Sequence, residues 1–200
     1  MKRNYIIAAF RETVAQQFPE QSVELNRLLD EKLSRLRSMH LNASKEKQFH
    51  LESQILPGIA AYETLQTVMP KDEALQTVHG YVAEHAWTMR KTILKLLKVP
   101  GLDHLPPVLF SKLTPKFYGE TAGFAATEYQ TSGGVWRIDM TKCPYHDTCV
   151  EHGCPELCPC FCDSDDIAYD DLHPKLVWHR TKTLGRGNEC CDFCLKLAEK

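Results

Sequence analysis

A chain of 200 residues, 43% hydrophobic and 25% charged, has the material for one globular domain with a real core. A net charge of −2 excludes a general pull toward nucleic acid or anionic membranes. No apolar run approaches bilayer-spanning length, and the short stretch Ile6–Phe10 is closed by Arg11 and Glu12, too early for a signal-peptide core, so the chain reads as cytoplasmic.

The first hundred residues read as helical. Leu25, Leu29, Leu33 and Leu36 recur at four- and three-residue steps, and Phe49, Leu51, Ile55, Ile59 and Tyr62 continue the pattern. Pro57 lacks a backbone donor and predicts a kink or break. A long helix follows from Lys71, with acids at its start and lysines at its end, and Pro100-Gly101 stops it. These helices read as scaffold, with His50, His79 and His85 as surface or core residues and Arg90, Lys91, Lys95 and Lys98 as a solvated face. Residues 101–119 are proline-rich and read as a connection.

The C-terminal part changes period. In GGVWRIDMTKC, Trp136, Ile138 and Met140 alternate with Arg137, Asp139 and Thr141. KLVWHRTKTL reads as a middle strand carrying Arg180, and CCDFCLKL as a third, with Cys191, Phe193, Leu195 and Leu197 on one face and Cys190 and Cys194 on the other. Gly185 and Gly187 make the turn between them. The expected fold is α+β: a helical bundle (residues 1–100) packed on an antiparallel sheet (residues 120–200) within a single domain.

Six of the nine cysteines fall within residues 143–162. Nine is odd, and cytosolic thiols stay reduced, so a disulfide framework is not expected. From Cys143 to Pro174 the chain carries eight acids and no lysine or arginine, which calls for a balancing cation or a basic strand. Cys143, His146, Cys149 and His152 recur every three residues, as on a helix face, whereas the alternation of Cys158, Cys160 and Cys162 suits a strand. Neither set has a standard zinc or iron–sulfur spacing, so no cofactor is required, although zinc or iron stays open. A thiolate nucleophile is the other chemistry. His146, His152, His173, His179 and Arg180 are candidates to activate it, and Asp163, Asp165 and Asp166 could act as base or bind a cation. Cys149, Cys154, Cys158 and Cys160 read as small buried apolar residues. Phosphate-binding, dinucleotide, nucleophile-elbow and H-E-x-x-H motifs are absent.

Pro155-Glu156-Leu157, Cys162 with Asp165 and Asp166, Arg180 with Thr181 and Thr183, Gly187, and Cys191-Asp192-Phe193 together resemble the C-terminal signature of the L-2-amino-thiazoline-4-carboxylic acid hydrolase family. FHLESQILPGIAAYETL resembles its helical region, so the likeness spans most of the chain. The cysteines at 149, 154, 158, 160 and 194 depart from that pattern, and Cys194 stands where an arginine is common. The resemblance implies a small-molecule hydrolase acting on a non-peptide carbon–nitrogen bond of a cyclic amidine, as in ring opening of 2-aminothiazoline-4-carboxylate to N-carbamoyl-cysteine. Cys162 or Cys191 would attack, Asp165 or Asp166 would hold the amidinium, Arg180 would pair with the substrate carboxylate, and Thr183 and Asp192 would complete the substrate contacts. The rival mechanism is a metal-bound hydroxide held by Cys162, Cys191 and a carboxylate, with Cys143, Cys162 and Cys191 as the thiol ligands. The competing functions are a non-catalytic thiol-rich domain that binds a small molecule or metal, as a sensor or maturation factor, and a redox protein using Cys190-Cys191. Oligomeric state is not readable.

Overall fold

The computed structural model describes residues 4–129 and 134–198, so Lys2 and Arg3 of the basic start and Gly133 lie outside it. Helices α1 (Tyr5–Gln17), α2 (Ser22–Met39), α3 (Lys45–His50), α4 (Leu56–Leu65), α5 (Lys71–Leu97) and α6 (Leu105–Phe117) come first. Strands β1 (Ala125–Glu128) and β2 (Val135–Lys142), helices α7 (Pro144–Glu151) and α8 (Cys158–Tyr169), and strands β3 (Leu176–His179) and β4 (Cys191–Leu197) follow. The sheet is antiparallel in the order β1-β2-β4-β3, and the fold is α+β as expected.

Two larger cores organise the chain, beside a third, smaller cluster of Ala122, Phe124, Met140 and Cys191. The larger joins α1, α2, α4 and the first half of α5 to Leu157, Cys158, Cys160 and Phe161. The second gathers Trp136, Ile138, Trp178 and Leu195 from the sheet, with Leu97 from the end of α5 and Phe110 from α6 packed against it. Helix α5 therefore links these two cores, and α8 lies along it with its acidic face toward the sheet. Gly58 of α4 permits the close approach of α8, because a Cβ there would sit 2.6 Å from the Phe161 ring.

Three sequence expectations are corrected and a fourth is made specific. Residues 101–119 are not merely a connection, because Leu105-Pro106-Pro107 opens α6, where prolines fit a first turn whose donors have no helical partner. Pro57, expected to kink or break the helix, sits in the first turn of α4 directly after a local change of helical geometry, so the helix is interrupted there without the chain leaving the helical path. The chain passes through a π-turn at Leu51–Ile55 into α4, and Asn4 Nδ2 donates to the carbonyl of Ser53 at 2.9 Å, the acceptor that Pro57 cannot serve. Cys158, Cys160 and Cys162 are helical rather than extended, since Pro159 sits in the first turn of α8. Arg180 is not in a middle strand; it follows β3, which forms one edge of the sheet. Strand β1, on the other edge, was not anticipated from the sequence.

Candidate active site

The helical state of residues 158–169 turns C-x-x-D-D into a site. Cys162, Asp165 and Asp166 stand at i, i+3 and i+4, so they share one face of α8. That face meets Arg180. Its Nη1 donates to Asp165 Oδ2 at 3.2 Å, and its Nη2 donates to Asp166 Oδ2 at 2.5 Å and to the Cys162 carbonyl at 2.8 Å. The Arg180 side chain is 1% exposed, and its guanidinium lies 5.3 Å from the Phe193 ring centre. Trp178, two residues earlier on the same side of the strand, donates Nε1–H to Asp166 Oδ1 at 2.9 Å. Asp166 is thus held by two buried donors, whereas Asp165 keeps one oxygen clear of Arg180.

Beneath these groups lies the turn at Leu184–Arg186. Leu184 N–H donates to Cys191 Sγ at 3.3 Å. A Cβ on Gly185 would sit 2.9 Å from Cys158 Sγ and 3.2 Å from Cys162 Sγ, so the turn backbone rests directly on both thiols. Gly187 closes the turn at φ 83°, a conformation few other residues adopt. Gly185→Ala must push the turn off the two thiols. We expect turnover to fall by about tenfold or more with the far-ultraviolet circular dichroism spectrum unchanged, against a Gly80→Ala control on open helix surface.

The electrostatics separate the thiols. A hydrogen bond with Cys158, whose Sγ lies 4.0 Å away, and the Arg180 guanidinium hold the Cys162 thiol below its usual value. Cys158 is pushed well up, chiefly by its contact with Cys162 and then by burial. Burial pushes Cys191 up to about 11 and Cys143 to about 12. Burial likewise pushes Cys160 up to about 12. Cys143, Cys162, Cys191, Asp165 and Arg180 lie close enough to alter one another's ionisation. Asp165 is raised to about 6, mainly by desolvation, with Arg180 pulling the other way and Asp166 adding to the rise. Its side chain is nonetheless 38% exposed, so solvent reaches the carboxylate. Tyr118, Tyr145 and Tyr169 lie within electrostatic reach of Asp165; burial first, and Asp165 as a lesser cause, keep the Tyr145 and Tyr169 phenols protonated.

The site thus gathers Cys143, Cys162, Cys191, Asp165, Asp166 and Arg180. Thr183 directly precedes the Leu184–Arg186 turn, and its hydroxyl is buried without a hydrogen-bond partner. Asp192 points away from Cys191 along β4 and accepts from Thr181 N, Thr181 Oγ1 and Lys182 N, so it fixes the strand-to-turn connection. Asp163 bridges His79 at 3.1 Å and Arg186 at 2.6 Å. Three of the four candidate activating histidines are engaged elsewhere, His146 with Asp147, His152 with His40, and His173 Nδ1 with the Lys175 N–H, and the fourth, His179, is an exposed residue at the end of β3. Cys158 and the three tyrosines were missed from sequence. The Cys158–Cys162 step of four would have revealed the first once α8 was recognised. Cys143, Cys162 and Cys191 do not bring their sulfurs within 4.8 Å of one another; among the described residues the His/Cys/Asp/Glu set that meets this spacing is His40, Glu151 and His152.

No helix among the described residues is long and apolar enough to cross a membrane. No curated protein matches the chain significantly. The family model for L-2-amino-thiazoline-4-carboxylic acid hydrolase matches residues 48–195, from the end of α3 through β4, and so takes in every side chain of the thiol–carboxylate–arginine site. With that match spanning most of its length, the chain belongs to the L-2-amino-thiazoline-4-carboxylic acid hydrolase family.

Proposed function

We propose that the protein hydrolyses a 2-aminothiazoline-4-carboxylate or a close cyclic amidine, with Cys162 as the nucleophile. The observation that carries this reading is geometric: Cys162 stands one helical turn from the half-open carboxylate of Asp165 on α8, with the Arg180 guanidinium bound to Asp165, Asp166 and the Cys162 carbonyl. Asp165 holds the amidinium, and the Cys162 thiolate adds to C2, the carbon bonded to two nitrogens and sulfur. The C2–S bond of the ring breaks, and the ring sulfur leaves as a thiol after taking a proton. An amidino-thioether on Cys162 remains. Water, deprotonated by Asp165, adds to the same carbon and expels the Cys162 thiolate, leaving an N-carbamoyl group on the product. One water is consumed, and the bond broken in the substrate is carbon–sulfur. Opening to N-carbamoyl-cysteine leaves both carbon–nitrogen bonds intact, which corrects the bond class expected from sequence.

Arg180 is positioned to order the carboxylates rather than to grip substrate, because its two terminal nitrogens are engaged within the protein. Arg186 takes the substrate carboxylate in this reading: it is 49% exposed, lies near enough to influence Cys162, and is anchored on one side by Asp163. The unpartnered Thr183 hydroxyl supplies a further substrate hydrogen bond. The test is release of free thiol from L-2-aminothiazoline-4-carboxylate. Wild type should turn over, and Arg186→Ala should raise KM about tenfold or more with kcat within a few fold. No thiol release from this substrate or its ring analogues would overturn the reading.

The pH dependence follows from Asp165, which must be ionised both to hold the amidinium and to accept a proton. The kcat/KM profile should therefore rise with pH through about 6. Asp165→Asn should lose about 10²–10⁴-fold in rate and show no limb near that pH. A wild-type profile flat from pH 5 to 8 would contradict the role given to Asp165.

A further inference from the structure

The described residues hold a second cluster of donor groups, away from the thiols. His40 follows the last residue of α2, and Glu151 and His152 stand at the end of α7. The Nε2 atoms of His40 and His152 face each other at 3.0 Å, with the rings inclined at 59°. A carboxylate oxygen of Glu151 completes a set whose ligand atoms all lie within 4.8 Å of one another. His40 is 8% exposed, His152 is partly buried, and Glu151 is open to solvent. We infer that His40, Glu151 and His152 form a binding site for a divalent metal ion of the zinc class.

The donor set selects the ion. Two imidazoles and one carboxylate suit zinc, cobalt and nickel better than magnesium or calcium, which prefer all-oxygen shells. Two nitrogens bound at about 2.0–2.1 Å in a tetrahedral array stand about 3.3 Å apart, so a shift of a few tenths of an ångström converts the present pair into ligands. Three protein ligands leave a fourth position for water on the exposed Glu151 side. Lys47 lies within electrostatic reach of His40 and opposes a cation, and the Glu151 carboxylate offsets it. A bound ion would tie the end of α2 to the end of α7, 112 residues apart in sequence. It would fix the far end of the helix whose first turn brings Cys143 and Tyr145 to the thiol site. His40 lies outside the family-matched residues 48–195, so this site is a property of the whole chain rather than of the matched region.

Nine cysteines can also take up zinc, so the experiment must separate donors. The metal-free full-length protein is titrated with cobalt(II) and with zinc(II), and bound metal is measured after gel filtration. The expected result is about one equivalent retained, a visible cobalt spectrum without the near-ultraviolet band of thiolate-to-cobalt charge transfer, and a higher unfolding temperature. His152→Ala and the exposed variant Glu151→Gln should lose this equivalent, and Cys162→Ser should keep it. Retention in His152→Ala and Glu151→Gln, a thiolate charge-transfer band, or no stoichiometric uptake by wild type would each overturn the site. None of these readouts depends on turnover, so the proposed hydrolysis can fail without affecting this test.

Discussion

Cys162→Ser should lower the rate of ring opening by more than about 10³-fold, while Cys191→Ser should retain a readily measured fraction of it. From sequence both thiols were equal candidates. The structure separates them by environment. Cys162 has the Cys158 thiol 4.0 Å away and the Arg180 guanidinium within electrostatic reach, and both favour its thiolate. Cys191 is buried, raised to about 11, and accepts the Leu184 N–H, a bond that a serine oxygen can also accept. Serine at 162 cannot ionise usefully at neutral pH, so the nucleophile is lost although the volume changes little. Cys149→Ser and Cys154→Ser should leave kcat within a few fold, because both residues belong to the helical core rather than to the thiol–carboxylate–arginine site. Equal loss in the Cys162 and Cys191 variants would return the attack to an undivided thiol pair.

The second large effect is expected at Arg180. Its removal leaves Asp165 and Asp166 facing each other without a cation and frees the Cys162 carbonyl of a partner. Arg180→Ala should cost about 3 kcal/mol of stability, the low end for a broken buried ion pair because both carboxylates reach solvent. Activity should fall beyond what the stability loss explains, since the thiolate loses its guanidinium. Arg180→Lys should not restore it, because one ammonium cannot serve two carboxylates and a carbonyl in this geometry. The two acids should then part company. Asp166→Ala should destabilise, removing the acceptor of both Trp178 and Arg180. Asp165→Asn should not destabilise at pH 7. Its folded pKa lies above the unfolded value, so the stability it contributes is present below about pH 4 and lost as pH rises through about 6. Chemical denaturation at pH 5 and pH 7, read beside kcat, checks both statements.

The legible parts of the molecule were those where one period dominates. The leucine steps of α2 and the alternation in β2 each determined an element and its buried face. The thiol segment defeated the same method because Cys158, Cys160 and Cys162 satisfy a two-residue period by coincidence, although Pro159 opens a helix there. Extended, Cys162 and Asp165 would point to opposite faces; as a helix they share one. Local composition could nominate Cys162, Asp165, Asp166 and Arg180 but not say which partner each would find. That Arg180 is consumed by the carboxylates depends on the chain after β3 meeting α8 fourteen and fifteen residues away, and that Asp192 serves the turn depends on β4 returning beside Thr181 and Lys182. The same holds for Tyr118, Tyr145 and Tyr169, which separate parts of the chain bring within electrostatic reach of Asp165.

The most direct test of the account is the mass of the enzyme caught during turnover. The protein is mixed with L-2-aminothiazoline-4-carboxylate, quenched in acid within the first turnovers, and mapped by peptide mass spectrometry. The account predicts an adduct with the full mass of the substrate on the peptide carrying Cys162. An unmodified Cys162 during active turnover, or an adduct on Cys191 instead, would contradict it.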